Sequence, residues 1–323
     1  MTATTASTGP AGVSTSGETW GRVAAAGLVI ALVIAPFGVY PVFLMKLMCF
    51  ALFAAAFNLL IGYVGLLSFG HAAFFGTGAY ISAHAAKVWH LDPLLCVVLG
   101  GIGGGALGVL IGYLAIKRKG IYFSMITLAL SQMVFFIALQ SPFTGGEDGI
   151  QGVPRGTLFG LIDLNRPLAM YSFVLVIFLF GMFALWRIVN SPFGQILKAI
   201  REHEPRAISL GYDVQRYKLI AFVISAGLAG VAGGVKSLVF QLASLTDITW
   251  QMSGEVVLIT LLGGIGTMLG PVIGALIVVT LENYLAALDF PVTVLIGGIF
   301  VACVLLFRRG VVGEVEHAMR KRG

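Results

Sequence analysis

Side chains able to do chemistry are few in this chain, and three of them stand among glycines within apolar sequence. Asn58, Ser68 and His71 fall in the stretch 58–80, where glycines interrupt a hydrophobic run. A helix broken inside a membrane exposes backbone N–H groups, and the positive end of its dipole can hold a carboxylate without a fixed charge. The pattern therefore indicates part of a ligand pathway. The same residues also fit an ordinary turn, with Ser68 capping the next helix and His71 bonded locally.

Further candidates for a pathway are two hydroxyls and a carboxylate. Ser124 and Thr127 are three residues apart on one predicted helix face, although such hydroxyls commonly bond back to their own helix. Glu255 lies beside an apolar stretch broken by glycines, and carboxylates inside membranes are functional candidates because their burial is costly. It could instead lie in the interface, and long charged side chains can snorkel there. The same alternatives hold for Lys46, Lys236 and Glu282.

A third pattern is the segment Thr144–Ile150, which combines three glycines with Glu147 and Asp148. Glycines at this density predict a tight turn. The two carboxylates could guard the outer mouth of a pathway or contact a binding protein, and a plain solvated turn is the alternative.

The polar insert 191–218 concentrates charge between two apolar segments. Pro205 suits the first turn of a short helix, where its missing N–H costs nothing. Ala207 and Gly211, four residues apart, place small residues on one face next to Glu204. Such a surface predicts a docking element for a partner protein, and an ordinary basic loop is the alternative. The insert carries five basic residues, Lys198, Arg201, Arg206, Arg216 and Lys218.

The composition requires a membrane around these residues. The 323 residues are 58% hydrophobic and only 11% charged, whereas soluble domains average about 25% charged residues. The mean hydropathy of +0.98 agrees, and we expect an all-α integral membrane protein. The net charge of +6 does not indicate nucleic-acid binding, because the basic residues fall in short loops and in the tail. The three cysteines have no metal-ligand spacing and no disulfide pattern.

About ten segments are apolar and long enough to cross the roughly 30 Å of hydrocarbon, some of them broken. The eighth and ninth are short and could instead form one re-entrant pair. Residues 1–19 are predicted to be a disordered cytoplasmic N-terminus, 20–310 the transmembrane domain and 311–323 a basic cytoplasmic tail. The predicted spans are 23–39, 41–62, 66–87, 93–116, 120–140, 169–189, 218–241, 253–265, 270–285 and 291–307.

Basic residues predict the orientation. Thirteen of the 20 Lys and Arg residues lie in the turn 117–119, in the insert 191–218 and after the last span. Ten crossings from a cytoplasmic N-terminus place all three sites on the cytoplasmic side, as the positive-inside rule requires. The loop 141–168 is then outside, and both termini are cytoplasmic.

Five motifs in order resemble the LivM-type permease subunit of branched-chain amino-acid ABC importers, over roughly residues 40–310. The resemblance implies the ABC importer permease fold, the bacterial inner membrane, and passage of a hydrophobic amino acid. The motifs are NLLIGYVGLLSFGHAAFFGTGAY at 58–80, RKGIYFSMITLA at 118–129, TGGEDGI at 144–150, the insert with Glu204, Ala207 and Gly211, and LLGGIGTMLGPVIGA at 261–275.

The resemblance also implies partners. These are a second, LivH-type permease, two cytoplasmic ATPases of LivG and LivF type that bind ATP and Mg, and an extracytoplasmic substrate-binding protein. Glu204, Ala207 and Gly211 match the family's ATPase-coupling loop, and Arg201 stands beside them. The insert departs from the family's usual residues at three positions, His203, Pro205 and Tyr212.

Alternative functions would require other substrates or other residues. Related permeases carry urea, short amides or aromatic acids, so the fold does not fix the substrate. A secondary transporter driven by an ion gradient would need paired carboxylates or a histidine relay at mid-membrane. An intramembrane enzyme would need a nucleophile or metal motif, and none is recognised. The chain has no GxxxxGK[ST] phosphate loop, so we expect no ATP hydrolysis and no cofactor in this subunit.

Overall fold

The structure is a computed structural model that describes residues 30–285, together with residues 27, 297, 298, 301 and 310–313. The predicted disordered segment 1–19 and most of the tenth predicted span and of the basic tail lie outside the described residues. The described residues up to Val39 belong to one unit, in which Ala35–Phe37 is a single 3-10 turn. A second unit begins at Tyr40 and carries every motif discussed above.

The described part of the second unit is built from helices. Its four strands have two residues each, and β1 (Ile150–Gln151) pairs with β4 (Leu242–Ala243) while β2 (Thr157–Leu158) pairs with β3 (Ile162–Asp163). The helices are α1 Pro41–Asn58, α2 His71–Lys87, α3 Pro93–Ala115, α4 Ile121–Gln140, α5 Pro167–Val189, α6 Pro192–Glu202, α7 Glu204–Ser209, α8 Val214–Phe240, α9 Trp250–Gly263 and α10 Gly270–Leu285. Short 3-10 turns cover Pro142–Thr144, Gly146–Asp148 and Leu245–Ile248.

Helix α1 is the central element of this unit. Its sequence is apolar on all sides, as expected of a helix surrounded by protein. It continues as a π-helical turn, Leu59–Val64, and 94% of the apolar window within Pro41–Val64 is buried. Helices α5, α8 and α10 pack around it, and α9 also contacts it. The remaining long helices leave more of their apolar surface exposed, as lipid-facing helices do.

Glycines bring α2, α3 and α8 into close contact. A Cβ on Gly104 of α3 would lie 2.8 Å from the Ala226 carbonyl oxygen of α8. A Cβ on Gly78 of α2 would lie 2.5 Å from Gly230 Cα of α8. Because no side chain separates these backbones, the three helices pack at the short distances that small residues allow in membranes.

The helices define two ends of the unit. At the loop end, β1 pairs with β4 and Lys87 Nζ donates to the Gln151 carbonyl at 2.7 Å. At the insert end, Lys119 pairs with Glu204, and a Cβ on Gly310 would lie 2.5 Å from Gly264 Cα. The turn 117–119, the insert and the end of the last predicted span therefore lie at the same end, as the distribution of basic residues predicted.

Within the described residues, five helices are long and apolar enough to cross a membrane by length and composition, namely Pro41–Val64, Pro93–Ala115, Ile121–Gln140, Pro167–Val189 and Val214–Phe240. The predicted total of ten membrane-spanning segments stays a prediction for the segments other than these five. The third predicted span, 66–87, is helical only from His71, because Gly65 adopts φ 80° and ends the preceding turn. The eighth and ninth are α9 and α10, with 14 and 16 residues, and they form an antiparallel pair joined by the loop 264–269.

Candidate coupling surface and pathway residues

The insert 191–218 folds into two short helices with a small core of their own. Ser191 begins α6 by accepting a hydrogen bond from Gly194 N. Pro205 lies in the first turn of α7, as the sequence predicted. The buried side chains Ile200, Ala207 and Val214 pack together. With this core and two helices, the insert is a folded element and not an irregular basic loop.

Glu204 holds the insert to two other segments. Its Oε1 lies 3.1 Å from Lys119 Nζ and 3.1 Å from Lys218 Nζ. Partial burial alone would raise the pKa of Glu204, but the hydrogen bonds and positive charges of the two lysines outweigh it and hold the pKa below its usual range. Lys218 is itself only 7% exposed, so the carboxylate compensates an ammonium group that has lost most of its water.

Ala207 and Gly211 determine how the insert folds and do not supply side chains to its outer surface. The Ala207 side chain is 3% exposed and belongs to the small core. Gly211 adopts φ 87° with open space around its Cβ position, so backbone conformation and not crowding selects glycine there. Three apolar side chains point outward instead, Ile208 (55% exposed), Leu210 (68%) and Tyr212 (41%). Sequence reasoning noted Tyr212 only as a departure from the family pattern and missed Ile208 and Leu210, although large apolar residues in a polar insert were the available signal.

Arg201 turns back from the insert toward α1. Its Nη1 donates a hydrogen bond to the Gly62 carbonyl of the π-helical turn. Asn58, at the end of α1, holds the loop 264–269: its Nδ2 donates to the Thr267 carbonyl at 2.8 Å, and its Oδ1 accepts from Gly266 N at 2.9 Å. Arg201 and Asn58, both predicted site residues, therefore lie in the same region at the insert end. Their positions in the sequence gave no reason to expect this.

The other predicted pathway residues of the first two motifs bond inside the helix bundle. Ser68 Oγ accepts from Gly70 N, and Ser124 Oγ donates to the Leu67 carbonyl at 2.7 Å. Thr127 Oγ1 donates to the Ser124 carbonyl within its own helix. His71 Nε2 lies 2.8 Å from Ser225 Oγ of α8, so its partner is distant in sequence and not local. The helix following Ser68 is capped by Gly70. A pathway role for these four residues stays a prediction.

Charged residues also meet near the loop end. Lys46 Nζ pairs with Glu282 Oε2 at 3.1 Å, and Glu255 lies beside Glu282 with its Oε1 buried and without a hydrogen-bond partner. Lys236 pairs with Asp247 Oδ2 at 2.7 Å, with both side chains largely buried. Sequence reasoning missed Asp247, whose signal was the capping box it forms with Ser244.

The outer turn carries its two carboxylates on the surface. Glu147 and Asp148 are exposed within the 3-10 turn Gly146–Asp148, and Gly145, Gly146 and Gly149 take positive φ values, as a tight turn requires. This conformation fits both readings of the turn, and a gating or contact role stays a prediction. Among the described residues, no group of three His, Cys, Asp or Glu side chains could hold a metal ion.

The family model for the permease component of branched-chain amino acid transport systems matches residues 39–307. The chain belongs to this family. The resemblance stated from the motifs is thereby confirmed, and with it the all-α integral membrane fold and the placement of this permease among multi-pass membrane proteins.

Individual relatives agree with the family match. The high-affinity branched-chain amino acid permease protein LivM of Escherichia coli is 27% identical over 277 residues, which cover 79% of this chain and 65% of the relative. LivM of Salmonella typhimurium is 28% identical with the same coverage. The probable LivH permease of Methanocaldococcus jannaschii is 25% identical over 76% of this chain and 82% of its own length. The permease thus spans just under two thirds of the LivM relatives. No solved structure matches it.

Proposed function

We propose that this permease is a transmembrane subunit of an ATP-driven importer of branched-chain amino acids, located in the bacterial inner membrane. It forms the translocation pathway with a second, LivH-type permease and receives substrate from an extracytoplasmic binding protein. It catalyses no reaction itself, and two cytoplasmic ATPases of LivG and LivF type bind ATP and Mg. Relatives named for branched-chain amino acid transport support the choice of substrate.

The observation that carries the proposal is the outer surface of the insert. Glu204, Ala207 and Gly211, which match the family's coupling loop, give the insert its shape, and Ile208, Leu210 and Tyr212 are exposed apolar side chains on it. We refer to these last three residues as the insert knob. Exposed apolar side chains on a charged, structured element mark sites of protein contact. The insert end is accordingly proposed to be cytoplasmic.

Substituting Leu210→Asp tests the docking surface without altering the left-handed backbone at Gly211. A charge buried in a protein contact is costly, so we expect the variant to lose most co-purification with the cognate ATPase subunits and most uptake of radiolabelled leucine. Leu161→Asp is the matched control, because Leu161 is 88% exposed in the turn between β2 and β3 near the loop end. Undiminished ATPase binding by Leu210→Asp would contradict the proposal.

The substrate class has a separate test. We expect leucine, isoleucine or valine to raise the thermal unfolding temperature of the cognate binding protein, since ligands that bind only the folded state stabilise it. A response to urea alone would move the proposal to amide transport with the same machinery.

A further inference from the structure

The insert contacts the membrane helices at a turn whose backbone is unusual. Helix α1 changes at Leu59 into the π-helical turn Leu59–Val64, which ends where Gly65 adopts φ 80°. A π turn takes its carbonyl groups out of the α-helical hydrogen-bond pattern, and such turns are frequent at functional sites. The Gly62 carbonyl within this turn is the group that accepts a hydrogen bond from Arg201 of α6.

Two glycines provide the space for the Arg201 side chain. A Cβ on Gly65 would lie 3.2 Å from Arg201 Cγ, and a Cβ on Gly266 would lie 3.4 Å from its Nη1. The guanidinium therefore reaches the π turn and the loop 264–269 at the same time, through a gap that larger residues would narrow.

The loop 264–269 rests directly on the π turn. A Cβ on Gly62 would lie 2.7 Å from Gly266 N, so only glycine permits this approach. Asn58 fixes the loop with two hydrogen bonds, from its Nδ2 to the Thr267 carbonyl and from Gly266 N to its Oδ1. Met268 packs against the cluster that contains Leu59 and Tyr63. The π turn and the loop are thus joined by polar and apolar contacts and should move as one body.

Further contacts tie Arg201 to the insert and Asn58 to the loop 264–269. Its neighbour Ile200 lies in the insert's own core, so the arginine moves with the insert. Asn58 is only 3% exposed, and a buried amide that leaves its partners pays the cost of an unsatisfied polar group. Lys198 adds a second contact from α6, with its Nζ 5.7 Å from the centre of the Tyr63 ring.

We propose that Arg201 and Asn58 are positioning residues of a mechanical link that passes movement of the insert to the π turn and the loop 264–269. The loop joins α9 to α10, so its displacement shifts both helices at the insert end and changes access to the pathway there. The link rests on the proposed function, because it requires partner ATPases that move the insert.

The test uses the complete transporter, co-expressed with its cognate subunits and reconstituted in liposomes. Arg201→Met keeps the aliphatic stem but removes the donors to Gly62. Asn58→Leu keeps the approximate size but removes both hydrogen bonds to the loop. Arg187→Met is the control, because Arg187 is an exposed arginine in the last turn of α5 and lies outside the insert. ATPase co-purification, ATP hydrolysis and uptake of radiolabelled leucine are measured for each variant.

We expect both variants to retain the ATPases and to hydrolyse ATP within about twofold of the parent, while leucine uptake per ATP falls roughly 5- to 30-fold, as a lost coupling interaction predicts. Arg201→Lys should recover part of the uptake, because an ammonium group can still donate to the Gly62 carbonyl. The double variant should transport no worse than the weaker single variant, because both substitutions interrupt one link.

Three results would overturn the link: unchanged uptake per ATP, loss of the ATPases from either single variant, or losses that multiply in the double variant. The proposed function has its own readout in the parent complex. If the parent binds no ATPase, both the proposed function and the link are wrong. If the parent transports normally and the variants give one of the three results above, only the link is wrong.

Discussion

Glu204 illustrates how a residue can belong to a docking motif without forming the docking surface. Its carboxylate faces inward, to Lys119 and Lys218, and the exposed large apolar side chains of the insert are those of the insert knob. The sequence predicted Glu204 as a coupling residue of the insert, and that role stays a prediction. It could not predict the direction of the side chain, because Lys119 is 85 positions earlier and no periodic pattern connects the two.

Removing the charge of Glu204 should therefore loosen the insert. Glu204→Gln leaves the nearly buried Lys218 ammonium without a counter-charge, and we expect a loss of roughly 1–3 kcal/mol in the free energy of unfolding, as for partly buried ion pairs. Thermal unfolding of the purified permease measures it. Arg216→Gln is the control: it breaks the exposed pair with Asp213 (83% and 50% side-chain exposure) and should cost about 0.5 kcal/mol or less.

The same experiment has a pH dependence of fixed sign. The pKa of Glu204 is lowered in the folded protein. Its contribution to the free energy of unfolding is therefore fully present above the pKa of the unfolded chain, about 4.3. That contribution is lost as the pH falls through the lowered pKa of the folded protein. The stability difference between parent and Glu204→Gln should be constant near neutral pH and shrink in acid. A difference that grows on acidification would contradict the assignment.

At the scale of elements, hydropathy predicted the long helices well and their interruptions poorly. Five of the predicted spans correspond to long apolar helices, because twenty apolar residues leave the backbone in a membrane few alternatives to a helix. Glycines at 62, 65 and 70 signalled a break, but the sequence could not distinguish a π-helical turn from a simple loop. Arg201 and Asn58 contact this region through partners that are distant in the sequence, which no local pattern could indicate.

Neighbouring glycines on α3 should respond oppositely to alanine. A Cβ on Gly104 would meet Ala226 O and Gly230 Cα at 2.8 and 2.9 Å, whereas a Cβ on Gly105 would have its nearest neighbour at 3.8 Å. We expect Gly104→Ala to cost about 1–3 kcal/mol through overpacking. Gly105→Ala should be neutral or gain up to about 1 kcal/mol through helix propensity. Thermal unfolding in detergent compares the two, and equal effects would show that α3 and α8 are not packed through Gly104.

At the scale of the whole molecule, the two ends should lie on opposite sides of the membrane. Single cysteines replacing Leu210 in the insert knob and Leu161 near the loop end offer highly exposed positions. The native Cys49 and Cys96 are buried, and Cys303 is replaced by serine. In intact cells, we expect a membrane-impermeant maleimide to label position 161 and to reach position 210 only after the inner membrane is opened.

Labelling of position 210 in intact cells would reverse the proposed orientation. The positive-inside pattern predicted the grouping of basic sites at one end, since it depends only on charge and order along the chain. The partners of His71 and Ser124 were beyond prediction, because Ser225 and the Leu67 carbonyl reach them only through the packing of α2, α4 and α8. Thr127 instead bonds back to its own helix, as its sequence allowed. A hydroxyl in an apolar sequence looks the same whether it faces a pathway or a carbonyl.

The central position of α1 constrains how the permease is made. This helix leaves the ribosome before every helix that surrounds it, and the last of those described, α10, ends at Leu285. Until then its apolar sides have only lipid or the insertion machinery beside them, and Asn58 has no loop to hold. The central helix is therefore synthesised early, but its packing is completed only after the last of these helices has been made. During biogenesis the first helices accordingly stay in the bilayer without their final partners while most of the chain is still being translated.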